Sequence, residues 1–198
     1  MAATLFYLSH YPTCYNTLAA EVRSAFSTAE EIRIGPNLNK CVYLRACIDE
    51  TLRISPSASS ALWREVLPGG ITADAHFIPA GYDIGISIYA LHHNPTYYPD
   101  PHRYMPERWL RVYGGAEPPV KAYFPFSIGP RGCVGKSLAM MELMLTIATV
   151  MWTYDFENVD GVVVGDEGGE KVLADEYQLK DHVTAAKDGP VLRFRLRQ

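Results

Sequence analysis

The 198-residue chain is 48% hydrophobic and 20% charged, with a formal net charge of −4. That composition is globular rather than disordered or fibrous, long enough to bury roughly two-thirds of its unfolded surface, and it carries no basic footprint for nucleic acid. Its four cysteines, Cys14, Cys41, Cys47 and Cys133, show no C-x-x-C spacing, which points away from a zinc site or a disulfide framework and towards a reducing compartment.

In chain order, residues 2–9 read as the end of a helix, and 12–26 as a second helix opened by Pro12 with apolar residues at helical spacing. Ile34-Gly35-Pro36-Asn37 breaks the pattern. A helix over 39–53 follows, stopped before Pro56, and it carries Glu50 and Arg53 at a spacing that puts both on one face. Residues 61–90 change to strand character as one small sheet, with 71–78 leading into the turn Pro79-Ala80-Gly81. His92 and His93 read as surface or loop residues, since adjacent histidines diverge and form no i,i+4 metal pair. Prolines and tyrosines dominate 95–125, a connection with little regular structure. An apolar helix runs over 137–152, too short and too interrupted by Glu142 to span a membrane. A hairpin over 161–173 and an alternating final strand over 191–196 complete a mainly α fold with small β-sheets, an α+β chain. No signal peptide or anchor is read at the N-terminus.

The segment that carries chemistry is Phe126-Ser127-Ile128-Gly129-Pro130-Arg131-Gly132-Cys133-Val134-Gly135. Its glycines permit backbone angles closed to other residues and leave room for a bulky planar group against the main chain. The expectation is that Cys133 opens the apolar helix, where free N–H groups and the positive end of the dipole favour a thiolate. Arg131 can answer a carboxylate beside a metal held by that thiolate. A buried structural cysteine in a tight turn is the plainer alternative.

Phe126-x-x-Gly129-x-Arg131-x-Cys133-x-Gly135 resembles the haem-binding signature of the cytochrome P450 monooxygenases at every defining position. Two more segments resemble that family in the expected order: Glu50-Thr51-Leu52-Arg53, and the stretch from Tyr98 to Trp109 containing Pro106-Glu107-Arg108-Trp109. The resemblance implies the C-terminal, proximal part of that fold, with Cys133 as catalytic axial ligand to the iron of haem b. It implies Arg131, Arg64, Phe126, Gly129 and Gly135 around the haem, and Glu50, Arg53 and Arg108 as a buried structural charge network. Taken alone, Glu50 and Arg53 read equally as a solvated surface pair, and Arg64 as an exposed edge-strand arginine.

The resemblance further implies that Ser59, Ser60, Ala61 and Thr184 line a cavity for a small hydrophobic substrate. Electrons would come from NADPH through a flavoprotein reductase, and one oxygen atom of O2 would enter the substrate. The C-terminal stretch 176–190 resembles filamentous-fungal members of secondary metabolism, with a hairpin tip near 183–185. The chain reads as one partial domain, 1–198, of a parent at the endoplasmic reticulum whose anchor and N-terminal half lie outside it. A truncated, non-catalytic haem-binding fragment is the alternative. A haem-thiolate isomerase or dehydratase fits less well, because the cysteine loop has none of the insertions of those relatives.

Overall fold

The computed structural model describes residues 1–113, 122–159, 176–180, 182, 184–186 and 189–197. Seven α-helices and six short strands lie among them, a mainly helical α+β arrangement. The helices are α1 (Ala2–His10), α2 (Pro12–Ala25), α3 (Pro36–Asn39), α4 (Val42–Ile54), α5 (Ile88–His92), α6 (Glu107–Tyr113) and α7 (Lys136–Thr153). The strands pair antiparallel in twos: β1 (Arg64–Glu65) with β4 (Asp83–Ile84), β2 (Ile71–Ala73) with β3 (His76–Ile78), and β5 (Tyr154–Asn158) with β6 (Leu192–Leu196).

Helix α4 is the central element, packed against α1, α2, α6 and α7, with α5 at its C-terminal end. Ten of its residues are buried, Glu50 and Arg53 among them. Its first turn has no side-chain cap of its own; instead the Glu21 carboxylate of α2 accepts the N–H groups of Tyr43 and Leu44, both at 2.8 Å. A carboxylate there satisfies two orphan donors and opposes the positive end of the helix. On α7 the buried residues Met140, Met144, Ile147, Ala148 and Met151 follow helical spacing on one face. At its N-terminal end Leu138 and Met141 are 58% and 38% exposed, so one helix presents an apolar face to the core and a second apolar strip outward.

Four expectations need correction. The 61–90 strand region is two separate ribbons rather than one sheet, because Asp74 and Ala75 both take positive φ, 47° and 63°, and fold 71–78 into its own two-residue hairpin. Residues 88–92 are helical, capped by Ser87 Oγ accepting the Ala90 N–H at 3.2 Å. The break at Pro36 holds a single helical turn, with proline at its permissive first position. The proline-rich connection contains α6, which docks on α4. The hairpin expected over 161–173 lies outside the described residues.

Candidate functional site

The Glu50 carboxylate, with none of its side chain exposed, collects five donors. Arg53 reaches it twice, Nε to Oε2 at 3.0 Å and Nη2 to Oε1 at 2.9 Å. Arg108 Nε donates to Oε1 at 3.0 Å, the Met105 backbone N–H to Oε1 at 3.0 Å, and the Trp109 indole Nε1–H to Oε2 at 2.8 Å. The Arg53 guanidinium spends its remaining hydrogens on the carbonyls of Pro101 (2.7 Å), His92 (2.9 Å) and Arg103 (3.4 Å). Arg108 turns both Nη groups to the Pro99 carbonyl at 3.3 Å. The Tyr98 ring lies under Arg53, with Cζ 5.1 Å from its centroid.

The structure therefore brings Glu50, Arg53 and Arg108 into one desolvated cluster and adds Trp109 and Met105 to it. Charges this deep are tolerated because every one is paired and bonded. Trp109 stands in the segment that holds Arg108, but no spacing rule reveals that its indole reaches a carboxylate on another helix.

His92 and His93, expected at the surface, are buried, with 0% and 8% exposure. Helix α5 turns them inward beneath the α4 C-terminus. The His92 Nδ1 lies 3.2 Å from the Arg53 carbonyl, while its Nε2 accepts the Phe124 N–H at 3.2 Å. Burial, reinforced by the nearby Arg53 charge, lowers the His92 pKa to about 4. Burial lowers His93 likewise to about 4; its Nδ1 meets the Tyr89 carbonyl at 2.9 Å and its ring stacks on Tyr89 at 3.9 Å.

From Phe124 the chain runs into the cysteine loop. The Phe124 carbonyl accepts the Ser127 N–H at 2.9 Å in a turn that forces Ser127 to φ 60°. Gly129, at φ 70°, starts a 3-10 turn over Gly129–Arg131, and the Cys133 N–H returns to the Phe126 carbonyl at 2.8 Å. Phe126 itself packs on the main core, anchoring the loop at its root. Cys133 does not open the helix. Helix α7 starts at Lys136 with Gly135 as N-cap, and the Cys133 carbonyl accepts the Lys136 N–H at 3.3 Å. The loop needs this further turn to redirect the chain before helical bonds begin.

Cys133 is exposed, whereas Cys14, Cys41 and Cys47 are buried. On the same loop and the first turn of α7, Ile128, Val134 and Leu138 are 69%, 104% and 58% exposed, an uncovered apolar surface. A Cβ on Gly135 would lie 3.8 Å from Cys133 Sγ, so glycine keeps one side of the sulfur open. An open cleft of about 690 Å³ separates β1 and β4 from the loop, lined by Trp63, Arg64, Ile84, Ile86, Phe124 and Ile128 among others. Arg64 is exposed there, its Nη1 donating to the Trp63 carbonyl at 2.6 Å, and Arg131 is exposed on the 3-10 turn. Cys133 and Arg131 are not among the residues lining that cleft; the exposed thiol, the two unburied guanidiniums and the apolar side chains of loop and cleft are the group types that a planar, apolar, dianionic macrocycle such as haem requires.

Ser59, Ser60 and Ala61 are half-buried beside α5 and are not among the residues lining that cleft. The Ser59 carbonyl accepts the Tyr89 N–H at 3.1 Å and the Ser87 hydroxyl at 2.9 Å, and Ala61 bridges Ser87. Thr184 lines a second cleft of about 280 Å³ with Met1, Thr4, Thr51, Ser57 and Leu143. The C-terminal segment is held there by a Lys180–Ala186 bridge and by the Ala185 N–H on the Ser57 carbonyl at 2.7 Å. No helix among the described residues is long and apolar enough to cross a membrane.

The family profile described as Cytochrome P450 matches residues 1–178. A cytochrome P450 monooxygenase of Penicillium oxalicum is 52% identical over 98% of this chain, covering 36% of that protein. A cytochrome P450 monooxygenase of Gibberella zeae is 50% identical over the whole chain and 46% of its own length. One of Gibberella fujikuroi is 49% identical, again over the whole chain, and 55% of its own length. The chain thus spans about a third to a little over half of the curated relatives it matches.

Proposed function

Since this chain belongs to the cytochrome P450 family, we propose that it forms, as one partial domain, the thiolate-bearing half of a haem pocket in a monooxygenase. The observation that carries this reading is the presentation of Cys133: the solvent-open cysteine, on a loop closed by its own backbone bonds, amid uncovered apolar side chains. When bound, haem b supplies dioxygen activation and transfer of one oxygen atom to a small apolar molecule, with electrons from NADPH through a flavoprotein reductase.

The chain's own residues hold and orient. Cys133 would hold the iron through its sulfur, and the thiolate ligation it would supply is of the kind that favours O–O cleavage. Arg64, which lines the cleft, and Arg131, exposed on the 3-10 turn of the loop, would pair with the carboxylates of the haem, and the exposed walls would gain from burial at roughly 25 cal/mol per Å² of apolar surface. Phe126 roots the loop, Gly129 permits its turn, and Gly135 leaves the sulfur approachable. Glu50, Arg53 and Arg108 perform no chemistry; they keep the loop's foundation rigid and dry. Ser59, Ser60, Ala61 and Thr184 bound the substrate side. The reading extends to a whole protein at the endoplasmic reticulum membrane, in secondary metabolism; the relatives in Penicillium and Gibberella are named cytochrome P450 monooxygenases.

Haem titration of the chain and of Cys133→Ala tests the ligand assignment. The reduced carbonyl complex of the unsubstituted protein shows the displaced Soret band of a thiolate, and the variant loses it. A thiolate-type band in the variant overturns the assignment. Product formation by the 198-residue chain with a reductase then separates catalysis from haem binding by a fragment.

A further inference from the structure

We propose that His92 is a positioning residue for the cysteine loop, a buried neutral imidazole strut that ties the loop's entry to the helix holding Glu50 and Arg53. One tautomer serves both of its bonds. The Arg53 carbonyl can only accept, so the Nδ1 at 3.2 Å must carry the hydrogen; the Phe124 N–H can only donate, so the Nε2 at 3.2 Å must offer its lone pair. The connection to α4 is doubled, because Arg53 Nη1 donates back to the His92 carbonyl at 2.9 Å. No part of His92 is exposed, so no solvent competes for either bond.

The loop end of the strut leads directly to the sulfur. Phe124 closes the Ser127 turn, and the neighbouring Phe126 carbonyl holds the Cys133 N–H at 2.8 Å. The ring is fixed in orientation by Tyr123, stacked at 5.5 Å, and by Phe124, edge-on at 5.9 Å. The charged and titratable groups that face it are Arg53, itself committed to Glu50, from α4; His93, which follows α5; Tyr98 at 6.4 Å from the segment before α6; and Tyr123. None of these is a carboxylate free to stabilise an imidazolium. A proton on Nε2 would confront the Phe124 N–H with a second donor, so the strut holds only while neutral.

This inference rests on the reading of Cys133 as the haem ligand, and its test is separable from that reading. The full chain is studied by ring 15N NMR and amide exchange, alongside His92→Gln, His92→Asn and His92→Phe. Glutamine can place an acceptor where Nε2 stands and reach Phe124; asparagine can place only a donor near the Arg53 carbonyl; phenylalanine keeps ring packing alone. The expected result is an Nδ1–H tautomer in the unsubstituted protein. Phe124 amide exchange should be about tenfold faster in the Asn and Phe variants, with Gln closer to the parent. Haem loss to an acceptor protein follows the same order. An Nε2–H tautomer overturns the proposal without any variant having to fold, and so does equal exchange in Gln and Asn. If the exchange order holds while Cys133→Ala keeps its thiolate spectrum, the strut stands and the ligand reading fails.

Discussion

The Trp109 indole N–H meets the Glu50 Oε2 at 2.8 Å across two helices, so an aromatic side chain closes a carboxylate that two arginines already hold. The bond is charge-assisted and buried, Trp109 being 3% exposed. Trp109→Phe keeps most of the ring's packing and deletes the donor, which should cost about 2 kcal/mol in urea unfolding. A loss below ~0.5 kcal/mol means that the carboxylate does not depend on the indole.

Deleting a charge from the cluster is more severe. Arg53→Met removes two of the five donors to Glu50, whose side chain has no exposed surface, and should cost roughly 3–5 kcal/mol. Arg108, 13% exposed at its side chain, should cost less when changed to leucine. The Glu50→Gln and Arg108→Leu pair should show a coupling above ~1 kcal/mol in a double-mutant cycle. Additive effects are the outcome expected of a surface pair and would contradict a single network.

Acid should weaken the fold through its buried histidines. The pKa values of His92 and His93 are lowered from 6.5 to about 4 by burial, so between those values the unfolded chain binds protons that the folded one refuses. Stability is complete above pH ~6.5, falls as pH drops towards ~4, and levels off below it. Each histidine contributes on the order of 3 kcal/mol across that window. Urea midpoints between pH 4 and pH 7.5 measure the slope, and His92→Gln should make it shallower.

The glycines of the loop should separate by mechanism. Gly129→Ala meets open space but sits at φ 70°, so backbone strain alone costs it roughly 1–2 kcal/mol. At Gly135 a methyl makes ordinary contact 3.8 Å from Cys133 Sγ at an allowed φ of −83°. Gly135→Ala should therefore stay within ~0.5 kcal/mol of the parent in stability. It should nonetheless slow alkylation of Cys133, which a simple stability measurement cannot see.

Thiol labelling should single out Cys133. Burial raises the pKa of Cys41 to about 11, raises Cys14, and raises Cys47 well above the ordinary thiol range. With Cys133 the exposed cysteine of the four, iodoacetamide followed by peptide mass spectrometry should find it modified first. Haem loading should then protect it; labelling that is indifferent to haem would falsify ligation through this sulfur.

The local elements with strong periodicity were legible from sequence: α1, α2, α4, α7 and the alternating β6 depend on neighbours three, four or two residues away, which sequence displays. The cysteine loop was legible through its resemblance to a family signature, and so was the Glu50, Arg53 and Arg108 set; spacing alone left Glu50 and Arg53 equally readable as a surface pair. Where the chain reverses within the 71–78 run was hidden, since positive φ at Asp74 and Ala75 is a property of the paired hairpin rather than of those residue types.

Which groups are dry depends on how the helices pack. His92 and His93 look like surface residues until α5 folds beneath α4, and Trp109 looks like core filler until α6 turns its indole to Glu50. Burial and long-range bonds of this kind join residues far apart in the chain, 59 positions between Glu50 and Trp109 and 170 between Tyr7 and Tyr177. Sequence spacing carries no term for a hydrogen bond made across the core, whereas water exclusion in the folded chain makes each such bond strong and each missing partner costly.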